Sequence, residues 1–196
     1  GDASITFSGA NSSLDPVVVP TASDKTGANV NFGTATTITF ANGIATSSMK
    51  LFRAENAAIN VTDGNITATG PPDGRLNVTV NPNSVTTFTI STQPSGATAG
   101  SAFTNQPVIK TCDAYGNLST VDLGASEFVT VSIHTGSGIL YGTTRLDIGT
   151  SSGNGTVTYT DLMMTVAQTG VTLDFSSGSY TTVTSNPFNV VAGAAS

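Results

Sequence analysis

The side chains that could perform catalysis are few and far apart in this chain. Its 196 residues include one histidine, His134, and one cysteine, Cys112. Nucleophilic catalysis needs a base beside the nucleophile, and neither residue has such a partner nearby in the sequence. His134 falls on the polar side of the alternating segment 128–133, so we expect it to face solvent. We expect Cys112 to be an unreactive surface or half-buried residue, and we predict no catalytic residue and no enzymatic activity.

The acidic residues give a second possible chemistry, which is calcium binding. Asp113, Asn117 and Asp122 place oxygen ligands in one loop, and Ca²⁺ prefers such ligands. Their spacing is not that of an EF-hand, and Asp and Asn commonly shape turns by bonding their own backbone. We favour the turn interpretation, which also covers Asp63, Asp73 and Asp161. No metal site, no cofactor and no paired-carboxylate motif for glycoside hydrolysis is predicted, and calcium stays the alternative.

Carbohydrate binding would require exposed aromatic rings with polar groups around them. The chain has no tryptophan, and its four tyrosines are far apart in the sequence. Tyr159 and Tyr180 occupy positions that match core residues elsewhere in the chain, so we expect both in the core. Tyr115 is the ring that we expect to be exposed, and it is our candidate for a sugar-binding alternative.

Composition and charge exclude some partners and favour one location. The formal net charge is −6, with only six lysines and arginines, so a track of nucleic-acid phosphates could not be neutralised. No apolar run has the length needed to span a bilayer. Charged residues make up only 9% of the chain, and Thr and Asn are abundant, which favours an extracellular or cell-surface protein. We interpret the first residues, GDAS, as a processed or cut end.

The pattern of the chain predicts an all-β fold. Short segments rich in Thr, Val, Ile and Phe alternate apolar with polar residues, and glycines and prolines separate them. The segment 88–117 (FTISTQPSGATAGSAFTNQPVIKTCDAYGN) is the clearest example, with two strands and two turns. Asn42–Gly43 and Asp63–Gly64 are strong hairpin signals. Short strands at this interval are typical of β-sandwiches.

The chain also shows an internal repeat and a candidate linker. Segments 37–40, 59–62, 63–66 and 76–80 match segments 156–159, 171–174, 177–180 and 188–191 in the same order. We interpret these matches as two copies of one architecture. The proline-containing segment around 82 is the best linker candidate. We therefore predict a β-sandwich over 1–82, a linker over 83–85 and a second β-sandwich over 86–193.

Several motifs of the second half resemble a known module. TQPSGATAGSAFTNQPV followed by DAYGN, TGSGILYGTT and TSNPFNVVAGAAS resembles the bacterial immunoglobulin-like repeat found in tandem in very large secreted and cell-surface proteins. The first half, with ITFSGA, MKLFRAENAAINVTDG and LNVTV, resembles a companion module from similar arrays. Thr111–Cys112 and the segment 147–153, which lacks the usual Asn-Gly turn, depart from the family pattern. The resemblance implies two tandem immunoglobulin-like domains.

The resemblance also implies a role, which is that of a non-enzymatic structural or adhesive repeat of an adhesin, surface layer or filament. Its partners would be neighbouring copies or repeats of the same protein, with cell-surface glycans as a further possibility. The alternative is a carbohydrate-binding or accessory module of a secreted multidomain enzyme. We further expect 17–19, three valines flanked by prolines, to form a short edge strand that could accept a strand from a neighbour.

Overall fold

A computed structural model describes residues 1–68 and 76–193, and in this part of the chain all regular structure is β. The predicted Asp73–Gly74 turn, Thr69 and the final three residues lie outside the described residues. Contacts divide the chain into two compact units. The first unit comprises Gly1–Pro82 with Tyr115–Asn117, and the second comprises Asn83–Ala114 with Leu118–Ser196. No helix suited to crossing a membrane occurs among the described residues.

The first unit consists of two antiparallel sheets. Its seven described strands are β1 (Asp2–Ser8), β2 (Thr21–Ser23), β3 (Asn29–Asn31), β4 (Ala35–Thr39), β5 (Met49–Lys50), β6 (Glu55–Thr62) and β7 (Leu76–Val80). One sheet has the order β4-β1-β6-β7 and the other has the order β3-β2-β5. The alternation read from the sequence is retained, because Ile5, Phe7, Ile38 and Ile59 are buried while their neighbours on the strands are more exposed.

The turn predicted at Asn42–Gly43 is confirmed. Ala41 and Ile44 exchange two backbone hydrogen bonds across it, and both turn residues have positive φ, 51° for Asn42 and 79° for Gly43. Asn and Gly are the residues that tolerate this left-handed backbone best, which is why the dipeptide predicts the turn.

The strand expected at 17–19 is wrong. Residues 17–19 form no ladder, and the side chain of Val17 is 72% exposed. Pro16 and Pro20 have no N–H to donate, and the central Val18 forms its hydrogen bonds locally with Ser13. The Val18 N–H donates to Ser13 Oγ at 2.7 Å, and the Ser13 N–H donates to the Val18 carbonyl at 3.1 Å. This segment therefore gives no support to strand exchange with a neighbour.

The second unit has eleven strands among the described residues. They are β8 (Thr87–Thr92), β9 (Ala97–Thr98), β10 (Val108–Cys112), β11 (Phe128–Thr135), β12 (Leu140–Tyr141), β13 (Arg145–Asp147), β14 (Thr156–Thr158), β15 (Met163–Met164), β16 (Gln168–Ser176), β17 (Val183–Thr184) and β18 (Phe188–Val191). One sheet has the order β14-β10-β8, and the other has the order β13-β11-β16-β18-β9 with β17 beside β16. The strands β12 and β15 form a separate pair.

The core of the second unit joins its two larger sheets. Phe88 and Ile109 from the sheet of β8 and β10 belong to the same buried cluster as Val131, Leu173 and Phe175 from the sheet of β11 and β16. The inward parity predicted for Val129, Val131 and Ile133 is confirmed, with the first two buried and Ile133 partly buried against the cluster. Two packed sheets around one apolar core, antiparallel except for the parallel pair of β18 and β9, form a β-sandwich arrangement.

The proposed repeat is matched only in part by the strand pairing. In each unit a long strand, β6 or β16, pairs along its first residues with the last strand of that unit, β7 or β18. The segments 37–40 and 156–159 differ, however. β4 belongs to the same sheet as the long strand β6, whereas β14 belongs to the sheet that does not contain β16.

Tyr159 provides a polar link between the sheets of the second unit. The residue follows β14, is completely buried and packs against Phe175 with ring centroids 5.7 Å apart. Its hydroxyl donates to the Val129 carbonyl on β11 at 3.1 Å. Burial raises the pKa of the Tyr159 phenol, so the hydroxyl keeps its proton and stays a donor at all ordinary pH values.

We expect Tyr159→Phe to lower the free energy of unfolding by about 1–2 kcal/mol, because it leaves the buried Val129 carbonyl without this donor. Urea unfolding measures the change. The matched control is Tyr141→Phe, since the Tyr141 side chain is 40% exposed and its loss of a hydroxyl should change stability by less than about 0.5 kcal/mol. Equal effects of the two variants would contradict the role given to the buried hydroxyl.

Candidate binding face

Several polar side chains of the second unit share one surface of a sheet. Strands β13, β11, β16 and β17 are neighbours, and their inward residues are buried. The opposite side, here called the outer face, consists of Phe128, Thr130, Ser132, His134, Arg145, Asp174, Ser176 and Thr184. Register places these residues in rows. Arg145 on β13, Thr130 on β11 and Ser176 on β16 form one row. Ser132 on β11, Asp174 on β16 and Thr184 on β17 form a second row beside it.

His134 lies on this outer face, as its parity predicts. Its side chain is 54% exposed, and its Nδ1 lies 2.9 Å from Asp174 Oδ2. The Thr184 hydroxyl donates to the other carboxylate oxygen of Asp174 at 2.6 Å. Among the described residues no hydroxyl or thiol is hydrogen-bonded to His134. The group is therefore a carboxylate held by two neighbours, without the nucleophile–base contact of an acyl-transfer site.

The surroundings of Asp174 change its acidity in two opposing ways. Burial by itself raises the pKa of the carboxyl, but the hydrogen bonds from Thr184 and His134 outweigh it, and the pKa of Asp174 lies below its ordinary value. A carboxyl with a lowered pKa in the folded state stabilises the protein above its unfolded pKa, near 4. That stability is lost as the pH falls through the lower folded-state value.

We expect Asp174→Asn to destabilise the protein at pH 7 by less than about 1 kcal/mol, since the group is partly solvent-exposed. The difference from the wild-type protein should disappear well below pH 4, where the wild-type carboxyl is itself protonated. Urea unfolding at both pH values measures it. A constant difference between the two proteins would mean that the ionised carboxylate contributes no stability.

A pocket of about 400 Å³ opens at one end of the outer face. It is lined by Ser126, Glu127, Phe128, Thr130, Arg145, Ser176, Ser177 and Gly178. The Arg145 guanidinium carbon lies 3.6 Å from the centre of the Phe128 ring, an arrangement that uses the flat face of the cation.

The loop that forms one wall of the pocket is fixed by Asp147. Its carboxylate accepts hydrogen bonds from the backbone N–H groups of Glu127 and Gly149, each at 2.9 Å, and from the Ser126 hydroxyl at 3.0 Å. These donors lower the pKa of Asp147, so the carboxylate stays ionised at neutral pH. The wall is thus held in place before any ligand arrives.

The calcium candidates are each used in a different hydrogen bond. Asp113 Oδ2 accepts the Asn83 N–H at 2.9 Å, and Asp122 accepts the Ser84 hydroxyl at 2.5 Å. Asn117 is grouped with the first unit, where its amide bonds the Phe52 carbonyl and the Ala54 N–H. Within residues 1–68 and 76–193 no cluster of three or more His, Cys, Asp or Glu suited to a metal is found.

The turn interpretation fits Asp63, whose carboxylate accepts the N–H groups of Asn65 and Ile66. It is incomplete for Asp161, which, besides its own backbone, bonds the N–H and the hydroxyl of Thr143 across the fold, both at 2.8 Å. Periodicity along one segment could not show this longer-range contact.

Two single-residue expectations are corrected by the structure. Cys112 is 1% exposed, not on the surface or half-buried, because it lies in β10 and belongs to the buried residues of the chain. Tyr115 is only partly exposed, because its ring packs on Phe52 with centroids 5.1 Å apart in the first unit. Tyr141 is the more exposed ring. The expected core position holds for Tyr159, which is fully buried, whereas Tyr180 is partly buried and packs edge-on against Phe88 of the core.

Sequence reasoning missed Arg145 and Asp174 as members of a shared surface. The signal for Asp174 is its place between the inward-facing Leu173 and Phe175, which directs its side chain outward. His134 points outward from β11 for the same reason. No comparable signal exists for Arg145, since the pairing of β13 with β11 depends on the fold.

The first unit has a different kind of recess, which is mainly apolar. Two adjoining pockets of about 390 and 440 Å³ share Ile5, Phe40 and Val61 in their walls. Ile66, at the rim of one of them, is 74% exposed. The core of this unit is correspondingly small, with six buried members.

Comparisons with known proteins add no identification. No protein-family model matches the chain, and no curated protein matches it.

Proposed function

We propose that this chain is a non-enzymatic structural or adhesive module of a large extracellular surface protein, made of two tandem immunoglobulin-like β-sandwiches. The second unit supports the fold assignment most directly. An immunoglobulin-type sandwich sets its first, second and fifth strands in one sheet and its third, sixth and seventh in the other. With β8, β10 and β14 in one sheet and β11, β16 and β18 in the other, the second unit has a compatible order.

The single observation that carries the structural role is how the ends of the second unit are joined. β9 near its beginning and β18 at its end run parallel, with Ala97 opposite Val190 and Thr98 opposite Val191. Tension applied at the two ends of the unit would pull these strands in opposite directions along their length. Their hydrogen bonds would then be loaded together and not one after another, which suits a module that transmits force.

The remaining parts of the proposal rest on composition and on the arrangement of polar groups. A surface with few charges allows neighbouring copies to approach without strong repulsion, as an assembly of repeats requires. The acidic side chains named above are used in hydrogen bonds that hold loops and turns. The location outside the cell and the partnership with further copies follow from the sequence resemblance and stay predictions.

The alternative, a carbohydrate-binding module that uses Tyr115, has weaker support. Phe52 covers part of the Tyr115 ring, so the ring offers a reduced platform for stacking on a sugar.

Force spectroscopy on the whole chain tests the proposed role through Ala99→Pro. The Ala99 N–H donates to the Val191 carbonyl at 2.8 Å, and proline removes this donor. The backbone accepts proline here, since Ser101 N–H bonds the Thr98 carbonyl and Gly100 has φ of 82°, which makes Ala99 the second residue of a type II turn. We expect the second unit to unfold about tenfold faster under load.

The control is Ala99→Gly, which changes the same side chain but keeps the N–H. Its unfolding rate under load should exceed the wild-type rate only slightly, because glycine loosens the turn to a small extent. If both variants unfold under load like the wild-type protein, the parallel pair does not resist force and the proposed role loses its main support.

A further inference from the structure

The pocket on the outer face contains both a cation and an anion that are not paired with each other. Among the described residues no carboxylate lies within 4.0 Å of the Arg145 guanidinium. The acid–base contacts at that distance are those of Lys25 with Asp2 and of His134 with Asp174. Stacking on Phe128 occupies one flat side of the guanidinium and leaves its in-plane N–H donors for other partners. Glu127 uses Oε2 to accept the Ser179 hydroxyl at 3.1 Å and keeps further acceptor capacity.

Hydroxyl groups complete the polar lining. Thr130 stands opposite Arg145 on one side and opposite Ser176 on the other, so the three side chains form a row across adjacent strands. Neighbouring strands are about 4.8 Å apart, so the three side chains lie side by side along the row. In the described part of the chain, neither the Thr130 nor the Ser176 hydroxyl has a hydrogen-bond partner. Both are therefore open to a ligand.

The balance of charges disfavours ligands that carry charge of one sign only. An anionic ligand would meet Glu127 and the ionised Asp147 behind it, and a cationic ligand would meet Arg145. A neutral polyol avoids both penalties, because each of its hydroxyls can accept from the guanidinium or donate to the carboxylate. The Phe128 ring, 37% exposed, adds an apolar edge for the C–H groups of such a ligand.

We propose that this pocket binds a neutral saccharide unit, in addition to the structural role of the chain. Its volume of about 400 Å³ is within the range of small-molecule sites. In this arrangement Arg145 donates hydrogen bonds to sugar hydroxyls and Glu127 accepts hydrogen bonds from them. Thr130 and Ser176 form hydrogen bonds with the sugar hydroxyls nearest to their own row. Since these groups exchange bonds with water for bonds with sugar, the expected affinity is weak, with a Kd of about 0.1–10 mM.

The test is a titration of the ¹⁵N-labelled whole chain, followed by backbone amide NMR shifts. The probes are neutral oligosaccharides (cello-, xylo-, manno- and chito-oligosaccharides), with an oligogalacturonide and an acidic peptide as charged comparators. The expected result is a saturable change for at least one neutral probe, confined to amides of residues 126–130, 145 and 176–178. Arg145→Met and Glu127→Gln should each weaken that binding about tenfold, the loss of one or two charge-assisted hydrogen bonds.

Arg53→Met is the matched control, because it makes the same substitution in the first unit and should leave the affinity unchanged. Urea unfolding of Arg145→Met checks that the second unit stays folded, and Glu127→Gln repeats the test without disturbing the stacked pair. Any of three results would overturn the proposal. They are no response to any neutral probe, a response to the charged comparators alone, or binding that both pocket variants leave intact.

Discussion

Burial of apolar side chains between two sheets is the interaction on which the rest of the second unit depends. Val129, Val131, Leu173 and Phe175 come from adjacent strands, and each is at most 3% exposed. Because side chains alternate along a strand, burying this set also fixes which residues lie outside. A shift of either strand by one residue would expose part of the core and take His134 or Asp174 off their common surface.

The small number of charges has a further consequence for how loops are held. Lys25 pairs with Asp2 and His134 contacts Asp174, whereas several other carboxylates of the described residues accept backbone and hydroxyl hydrogen bonds. Asp24, for example, accepts the N–H groups of Thr26 and Ala28, and Asp147 holds the wall of the pocket in the same way. Hydrogen bonds to ionised acceptors are stronger than neutral ones, which lets few acids stabilise many turns. Asp113 and Asp122, close in the sequence, follow the same rule and accept hydrogen bonds from two different residues, Asn83 and Ser84.

The two proposals use different parts of the second unit and are compatible for that reason. The proposed resistance to force depends on the parallel pair of β9 and β18, whereas the proposed saccharide site uses β11, β13 and the end of β16. The pocket lies on a surface that is preorganised by the core beneath it and by Asp147 at its side, so binding needs little reordering. A module that carries tension and also holds a sugar weakly would gain strength by repetition, since linked weak sites act together.

Much of the fold could be predicted from the sequence, because alternation and turn residues act locally. The inward residues of β11 and β16, the turn at Asn42–Gly43 and the all-β class follow from side-chain period and backbone preference alone. Residues 17–19 were misassigned because valine favours strands by its shape, while the flanking prolines and Ser13 decided the hydrogen bonding. The partners of Asp161, the burial of Cys112 and the pairing of Arg145 with Thr130 were decided only by the tertiary structure. Each depends on which strands become neighbours, and that choice is made by the packing of the whole unit and not by any one segment.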